Sequence, residues 1–444
     1  MSAIPNRATA APADMLSQAM QLHQSGRLDD AEALYQRLLG VNPRHADALH
    51  LMGLAKAQRR NFDEAARLIG KAIAVLPNEA LFHNNMGNVH VERGKADDAL
   101  GSYRRAFELQ PERPDVCNNL GVVLSRRGDA AEAERYLQRA LELDTAYTDA
   151  RNNLANHYLR NERVNDALQV CLDALMVAPR NPTLRRILGV IYAAQGMNDE
   201  AEQLYRTWLA DEPDNAEAKF RLVACTQRGV PERAPDDYVA QIFDSFAESF
   251  DAKLASLSYR APELALEAIT RFASPPAAQL DIIDAGCGTG LCGPLLKPWA
   301  RRLVGVDLSE GMLGKARHRG TYDELVAAEL VAFLQARPAS CELLVSTDTL
   351  IYFGALESAA RAAVAALRPG GLLVFTLEQH ADEDGAPDFK LCSHGRYSHR
   401  QGYVDATLRD AGFVLLEMKT VVLRMEASQP VAGWLVSARA GPPN

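Results

Sequence analysis

Residues 284–290 read DAGCGTG, between the apolar run LDII and LCGPLL. Strand, glycine-rich turn and helix is an order that holds nucleotide-like cofactors, because backbone without a Cβ approaches the ligand closely. The spacing Gly286, Gly288, Gly290 is GxGxG. It is neither the GxxxxGK[ST] of a phosphate loop nor the GxGxxG of a dinucleotide fingerprint. Asp284 ends the first strand, and Asp307 ends a second one in VGVDLS (304–309). A carboxylate at that second position can take both hydroxyls of a ribose. Farther on, CSHGRYSH (392–399) holds Cys392, His394 and His399. Three such residues without zinc spacing make an incomplete ligand set, so no metal is expected. No GxSxG elbow points to hydrolase chemistry.

These residues need a sheet to hold them. LDIIDAG (280–286), RLVGVDLS (302–309), ELLVSTD (342–348) and GLLVFTLE (371–378) read as strands. GMLGKARHR (311–319) and LESAARAAVAALR (356–368) read as helices between them. Short apolar strands alternating with helices predict a parallel sheet covered on both faces. The tail differs: FVLLEMKTVVLRM and WLVSARA follow one another with no helix between, which predicts an antiparallel hairpin at the sheet edge.

The first half has a fixed period. Alanines recur at 31, 65, 99, 133, 167 and 201, and prolines at 43, 77, 111, 179 and 213 with Thr145 in the gap. Small residues recur at Ala19, Gly53, Gly87, Gly121, Ala155 and Gly189. The spacing is 34 residues throughout, as two short helices per unit require. The small residue admits the second helix closely, and the proline ends the unit by denying the next turn its N–H. The pattern resembles the tetratricopeptide repeat over 12–215, which implies a superhelix with a groove for peptides or proteins. Residues 216–228 then read as the capping helix that a solenoid needs.

Three units read HNNMGN (83–88), CNNLGV (117–122) and RNNLAN (151–156). Asn84, Asn118 and Asn152 form one row, and Asn85, Asn119 and Asn153 another. Asn88 and Asn156 share the face of Asn84 and Asn152. An amide ladder on a groove-lining helix could donate to and accept from an extended peptide backbone. Asparagines that only cap or solvate the helices are the alternative.

The glycine loop with its two aspartates resembles the class I S-adenosylmethionine-dependent methyltransferases, over about 236–444. RPGGLLVFT matches that family's turn before its fifth strand, and the terminal hairpin matches its antiparallel last strand. The resemblance implies S-adenosylmethionine as cofactor and S-adenosylhomocysteine as product. It implies that Gly286, Cys287, Gly288 and Gly290 form the loop at the methionine end, positioned by Asp284. Asp307 would bind the ribose, Leu308 and Met312 would flank the adenine, and Glu329 would meet the adenine amino group. Ser346, Thr347 and Asp348 would face the methionine moiety.

The chain is similar, more closely, to bacterial methyltransferases that carry tetratricopeptide repeats. Their lid resembles residues 238–262, where Phe243, Phe246 and Phe250 are spaced for one helix face, either a core face or a cover. By that likeness Tyr238 and Tyr259 lie near the sulfonium and Arg260 near the cofactor carboxylate. GRYSH (395–399) makes Arg396, Tyr397 and His399 substrate-side candidates, or residues that only order the loop. If the acceptor is protonated, a base is needed. His399 is the first choice by its near-neutral pKa, with Asp348, Tyr352 and Glu378 as competitors at strand ends.

A chain of 444 residues implies two or three domains. The expected division is a disordered 1–11, six repeats at 12–215, cap and linker at 216–235, helical lid at 236–262 and an α/β methyltransferase domain with a Rossmann-like sheet at 263–444. A net charge of −9 argues against nucleic acid as the main partner. No signal-peptide core and no 18-residue apolar run occur, so neither export nor a membrane is expected. Seven scattered cysteines fit reduced thiols in a cytoplasm. The reading is a methyltransferase whose repeats recruit a peptide or protein. A small-molecule or glycan acceptor, with the repeats used for assembly, stays open, as does a silent cofactor-binding scaffold. The oligomeric state is left open.

Overall fold

The computed structural model describes residues 12–380, 385–426 and 429–442; the expected disordered segment 1–11 lies outside them. The chain divides into two compact units, 1–188 and 189–444. The first holds antiparallel helix pairs from α1 (Pro12–Gln24) onward, each helix 13 or 14 residues long. The recurring small residues explain the tight pairing. A Cβ at Gly53 would stand 2.7 Å from Ile69, and one at Gly121 2.5 Å from Leu137. The recurring alanines 31, 65, 99, 133 and 167 are fully buried opposite them.

The asparagine rows face each other across repeats. Asn119 Nδ2 donates to Asn84 Oδ1 at 3.0 Å, and Asn153 Nδ2 to Asn118 Oδ1 at 2.8 Å. One repeat earlier, Asn85 Nδ2 meets His50 Nε2 at 2.9 Å, His50 standing in the row of Asn84. Asn84 and Asn118 are only 4% and 6% exposed. Their amides are used inside the solenoid, which corrects the expectation that they face a peptide. Asn152 Oδ1 is buried without a partner, because the residue due to donate to it, one period after Asn153, is Ile187. Asn88 is exposed but accepts from Tyr103 Oη at 2.7 Å, and Asn156 is exposed. Asn153→Ala would therefore orphan a buried oxygen and lower stability by about 1–3 kcal/mol. Asn156→Ala would change it by less than about 0.5 kcal/mol. Urea unfolding of the two variants against the parent checks both values.

The second unit begins within the helix Pro182–Gln195 and continues the repeat through Asn198–Asp211. Numbering from α1, these are α11 and α12. Then follow α13 (Ala216–Thr226), α14 (Asp236–Phe246), α15 (Phe250–Ser256) and α16 (Ala261–Phe272). The sheet domain runs β1 (Leu280–Ala285), α17 (Gly293–Leu296), β2 (Ala300–Asp307), α18 (Glu310–Arg319), β3 (Glu324–Ala327), α19 (Leu330–Gln335) and β4 (Cys341–Ser346). It continues with α20 (Glu357–Ala366), β5 (Leu367–Gln379), β6 (Phe389–Leu391), β7 (Tyr397–His399), α21 (Gln401–Asp410), β8 (Phe413–Glu426) and β9 (Gln429–Ala440).

The parallel strands lie in the order β3-β2-β1-β4-β5, and β9 joins β5 antiparallel with β8 outside it. β7 runs parallel to β5 at Glu378 and Gln379, on the side that β4 vacates when it stops at Ser346. Alternation along each strand supplies two cores. Ile283, Val304, Leu344 and Leu373 pack on α19, α20 and α21. Ile282, Leu303, Leu343 and Leu372 pack on α16 and α17. Strands buried on both faces are why the sequence there is almost wholly apolar. Their carboxyl ends, with the loops that follow, form one edge.

Candidate functional site

After β1 the chain turns through Gly286, Gly288 and Gly290 at φ +78°, +53° and +84°, backbone that residues with a Cβ rarely adopt. Gly286 N and Cys287 N both donate to Val306 O, at 2.8 and 3.0 Å, which ties the loop to the end of β2. Gly286 is closed off, since a Cβ there would collide with Thr349. Gly288 stands open, the nearest atom to such a Cβ being a Phe250 ring carbon at 4.0 Å. Its N–H donates to Asp307 Oδ2 at 2.8 Å, and Ser309 N donates to Oδ1 at 2.9 Å. A carboxylate has about four acceptor positions, so capacity remains on this partly exposed side chain for two ribose hydroxyls. Burial raises its pKa, and the backbone amides oppose that rise.

Asp284 sits beneath the loop, fully buried, accepting from Tyr322 Oη at 2.6 Å. Burial pushes its pKa up to about 7; the Tyr322 bond opposes this and the Asp307 charge adds to it. The Tyr322 ring lies under the loop, 2.9 Å from where a Cβ of Gly290 would be. The Cys287 side chain is buried, so only its backbone belongs to the loop surface. Leu308 is half-buried beside Asp307, and Met312 is buried in α18, its N–H capped by Ser309 Oγ at 3.0 Å.

Two short helices cover this edge. Asp244 of α14 accepts from Ser309 Oγ at 2.5 Å and Gly311 N at 3.0 Å. Asp251 of α15 accepts from Thr289 Oγ1 at 2.5 Å and pairs with Arg319. Glu248 pairs with Lys315 at 2.5 Å. These carboxylates fasten the cover to both sides of Asp307. Phe243 meets Phe250 and Tyr352 edge-on, with centroids 5.9 and 5.5 Å apart, whereas Phe246 is 41% exposed and does not share that face.

Beyond the loop, β4 is followed by Thr347 and Asp348. Thr347 Oγ1 lies 3.4 Å from Cys292 Sγ. Asp348 is left-handed, φ +51°, a strained conformation for a residue with a side chain. Thr376 Oγ1 holds it twice, accepting from Asp348 N and donating to Oδ1, both at 2.9 Å. Arg424 of β8 donates to Asp348 Oδ2 at 2.7 Å and to Glu426 at 2.7 Å, and it also pairs with Glu378. Arg396 donates to Glu378 at 2.6 Å and to Glu426 at 2.9 Å. Burial raises the pKa of Asp348 in spite of Arg424, but at Glu378 and Glu426 the two guanidiniums outweigh burial. They hold Glu378 below its ordinary range and Glu426 at about 2.

Several expected roles do not survive this geometry. His399 is fully buried, its Nε2 donating to Gly354 O at 3.0 Å and its ring stacked on Tyr403, so it reaches no substrate as a base. Burial lowers its pKa to about 4. Tyr397 is also fully buried, and its hydroxyl donates to Pro231 O at 2.8 Å. Asp348 has its carboxylate engaged and serves as an anchor, not a free base. Arg396 stands in the same ion-pair network. Glu329 caps α19, accepting from Val331 N and Ala332 N at 3.0 and 2.8 Å, and takes a third bond from Arg233 at 3.3 Å, so most of its acceptor capacity is engaged. Arg260 turns its side chain outward, 57% exposed, toward Glu267. Tyr238 is buried against Phe220, centroids 4.5 Å apart. The sequence reading missed Arg424, Glu426, Tyr322, Asp244 and Asp251. Only Arg424, a charge inside the apolar run VVLRM, carried a signal.

Among the described residues no helix is long and apolar enough to cross a membrane, and no group of three or more metal-ligating side chains is found. Residues 283–375 match the methyltransferase-domain family. Tetratricopeptide-repeat families match 78–146 and 22–87, 124–191 and 159–224. Human methyltransferase-like protein 27 is 30% identical over 174 residues, 38% of this chain and 68% of that protein. Trans-aconitate 2-methyltransferase of Paracidovorax citrulli is 34% identical over 112 residues, 24% of this chain and 43% of that enzyme. Carboxy-S-adenosyl-L-methionine synthase of Wolinella succinogenes is 27% identical over 186 residues, 39% of this chain and 72% of that enzyme. The open Gly288, the amide-held Asp307 and the covered edge fit S-adenosylmethionine. The chain belongs to the class I S-adenosylmethionine-dependent methyltransferases, with tetratricopeptide repeats ahead of the catalytic fold.

Proposed function

We propose that this enzyme methylates an acceptor presented by a peptide or protein that the repeats recruit. When bound, S-adenosylmethionine supplies a methyl group already activated on a sulfonium, so this chain's own residues chiefly align and dry the reaction. Alignment alone is worth roughly 7–11 kcal/mol. Asp307 and the Gly288 amide hold the ribose end, Phe243 and Phe250 exclude water, and the ends of β4, β5 and β8 form the acceptor side. The observation that carries recruitment is the seating of α13. This helix follows the last repeat directly, and it is built into the acceptor-side loop 391–399. Gln227 Nε2 donates to Leu391 O at 2.9 Å, and Phe220 packs on Tyr238 and Tyr397. Arg221 lies against Gly395. A cargo bound by the repeats is thereby tethered to the chain segment that holds the acceptor wall, which raises its effective concentration there.

A second reading is a free carboxylic acid as acceptor, favoured by the trans-aconitate methyltransferase among the relatives. Tritiated-methyl S-adenosylmethionine incubated with the full chain and a host-cell lysate separates the two. Label is expected in the protein fraction. Label confined to small molecules refutes recruitment and supports the second reading.

A further inference from the structure

A guanidinium without a counter-charge stands on the β7 side of the sheet. Arg221 follows Phe220 on α13 and lies across Gly395, in the turn between β6 and β7. Gly395 has φ +83°, and a Cβ there would stand 3.1 Å from Arg221 Nη1 and 2.9 Å from Tyr238 Oη. The glycine leaves the space that the guanidinium fills. Among the described residues Arg221 makes no hydrogen bond and no ion pair, and each of its nitrogens keeps accessible surface. Burial is the largest influence on its charge and opposes it. Five N–H donors on a permanent cation are thus unused in a recess of the protein.

The other guanidiniums of this edge are engaged. Arg396 and Arg424 are shared among Glu378, Glu426 and Asp348. His394, on the loop beside Arg221, supplies no negative charge; burial and then the Arg396 charge lower its pKa to about 4. A poorly solvated cation with idle donors is costly unless a ligand brings acceptors and the opposite sign. Tyr352 links Arg221 to the cofactor loop, and its Oη likewise makes no hydrogen bond among the described residues. Its ring meets Phe243, which meets Phe250, the residue standing over Gly288. The cofactor's own carboxylate is the rival claimant. The glycine loop follows β1, however, and Gly395 precedes β7; the order β1-β4-β5-β7 puts three strand spacings, roughly 14 Å, between them.

We propose that Arg221 binds a carboxylate of the acceptor, one that is not itself the methylated group. A guanidinium meets a planar carboxylate with two parallel N–H bonds. A single negative charge suits the place better than a phosphate, because Glu378 and Glu426 near His394 would repel a second one. This rests on the methyltransferase reading and names a group that its substrate carries. The carboxylate belongs either to an acidic residue of a recruited protein or to a free acid.

The test uses the full chain saturated with S-adenosylhomocysteine and two pairs of probes followed by ligand-observed NMR. One pair is acetyl-Ala-Glu-Ala-amide and its Gln counterpart, the other succinate and succinamide. In at least one pair the carboxylate is expected to bind about tenfold or more tightly than the amide, and Arg221→Gln to remove that preference. The pair that shows it identifies the source. No preference in either pair, or a preference that Arg221→Gln leaves whole, overturns the proposal. Phenylglyoxal labelling of the unaltered chain, read by mass spectrometry, needs no variant to fold. Arg221 is expected to react faster than the engaged Arg396 and Arg424 and to be protected by the preferred carboxylate; slower reaction or no protection overturns the proposal. Calorimetry on Arg221→Gln decides against the rival. Unchanged affinity for S-adenosylmethionine and S-adenosylhomocysteine supports the acceptor role, and loss of both assigns Arg221 to the cofactor carboxylate and overturns it. Cofactor binding by the parent chain is read in the same titrations, so the methyltransferase reading stands or falls separately.

Discussion

Replacing Asp307 by alanine raises the dissociation constant for S-adenosylmethionine by roughly 100-fold or more. The size follows from what the carboxylate does in the fold. It ends β2 and is held by one amide from the glycine loop and one from the turn into α18. A vicinal diol bound there gains two hydrogen bonds to a charged acceptor, each worth about 1.5–3 kcal/mol. The alanine variant also releases Gly288 N–H, so the loop loses the bond that holds its open glycine. Asp307→Asn keeps the shape and one acceptor oxygen, and an intermediate loss of roughly tenfold is expected. Calorimetric titration, with circular dichroism to show that the sheet is intact, measures both. A change below about threefold in the alanine variant would remove Asp307 from the cofactor site.

Arg424→Ala has the largest expected effect on stability. It leaves Asp348, Glu378 and Glu426 together at the strand ends with only Arg396 to neutralise them. Breaking a buried ionic network by removing one partner costs about 3–5 kcal/mol. Arg424→Lys restores little, because one ammonium cannot reproduce the fork that reaches three carboxylates. Strain adds a second consequence, since Arg424 and Thr376 together hold Asp348 at its left-handed φ. The network also sets an acid limit. Glu378 and Glu426 have folded pKa values below their ordinary 4.5, Glu426 at about 2. Their contribution to stability is therefore complete above pH 4.5 and is lost as pH falls toward about 2. The gap between parent and Arg424→Ala should narrow over that same interval. Thermal unfolding across the pH series reads it, and a gap that stays constant or widens on acidification contradicts the assignment.

The repeat period was legible because each tetratricopeptide unit is a local structure whose contacts lie within one or two repeats. Alanine and glycine mark where two helices touch, and that requirement recurs every 34 residues whatever the rest of the chain does. The glycine loop was legible for a similar reason, since positive φ at three positions admits few residue types. The parallel sheet and its antiparallel end followed from strand spacing and from the missing last helix. Asn84 and Asn118 were misread because helical spacing states which face a residue occupies and not whether that face meets solvent or the next repeat. His399 was misread for a related reason, since a strand too short to announce itself, β7, draws it into the sheet.

By itself, then, the sequence determined the two folds, their order along the chain and the class of cofactor, all properties carried by local geometry and fixed spacing. Only the tertiary structure decided the ion-pair network at the strand ends. Asp348, Glu378, Arg396 and Arg424 are far apart in the chain and stand on four different segments. No motif joins them. They meet because β9 folds back between β5 and β8 and aligns the carboxyl ends of both.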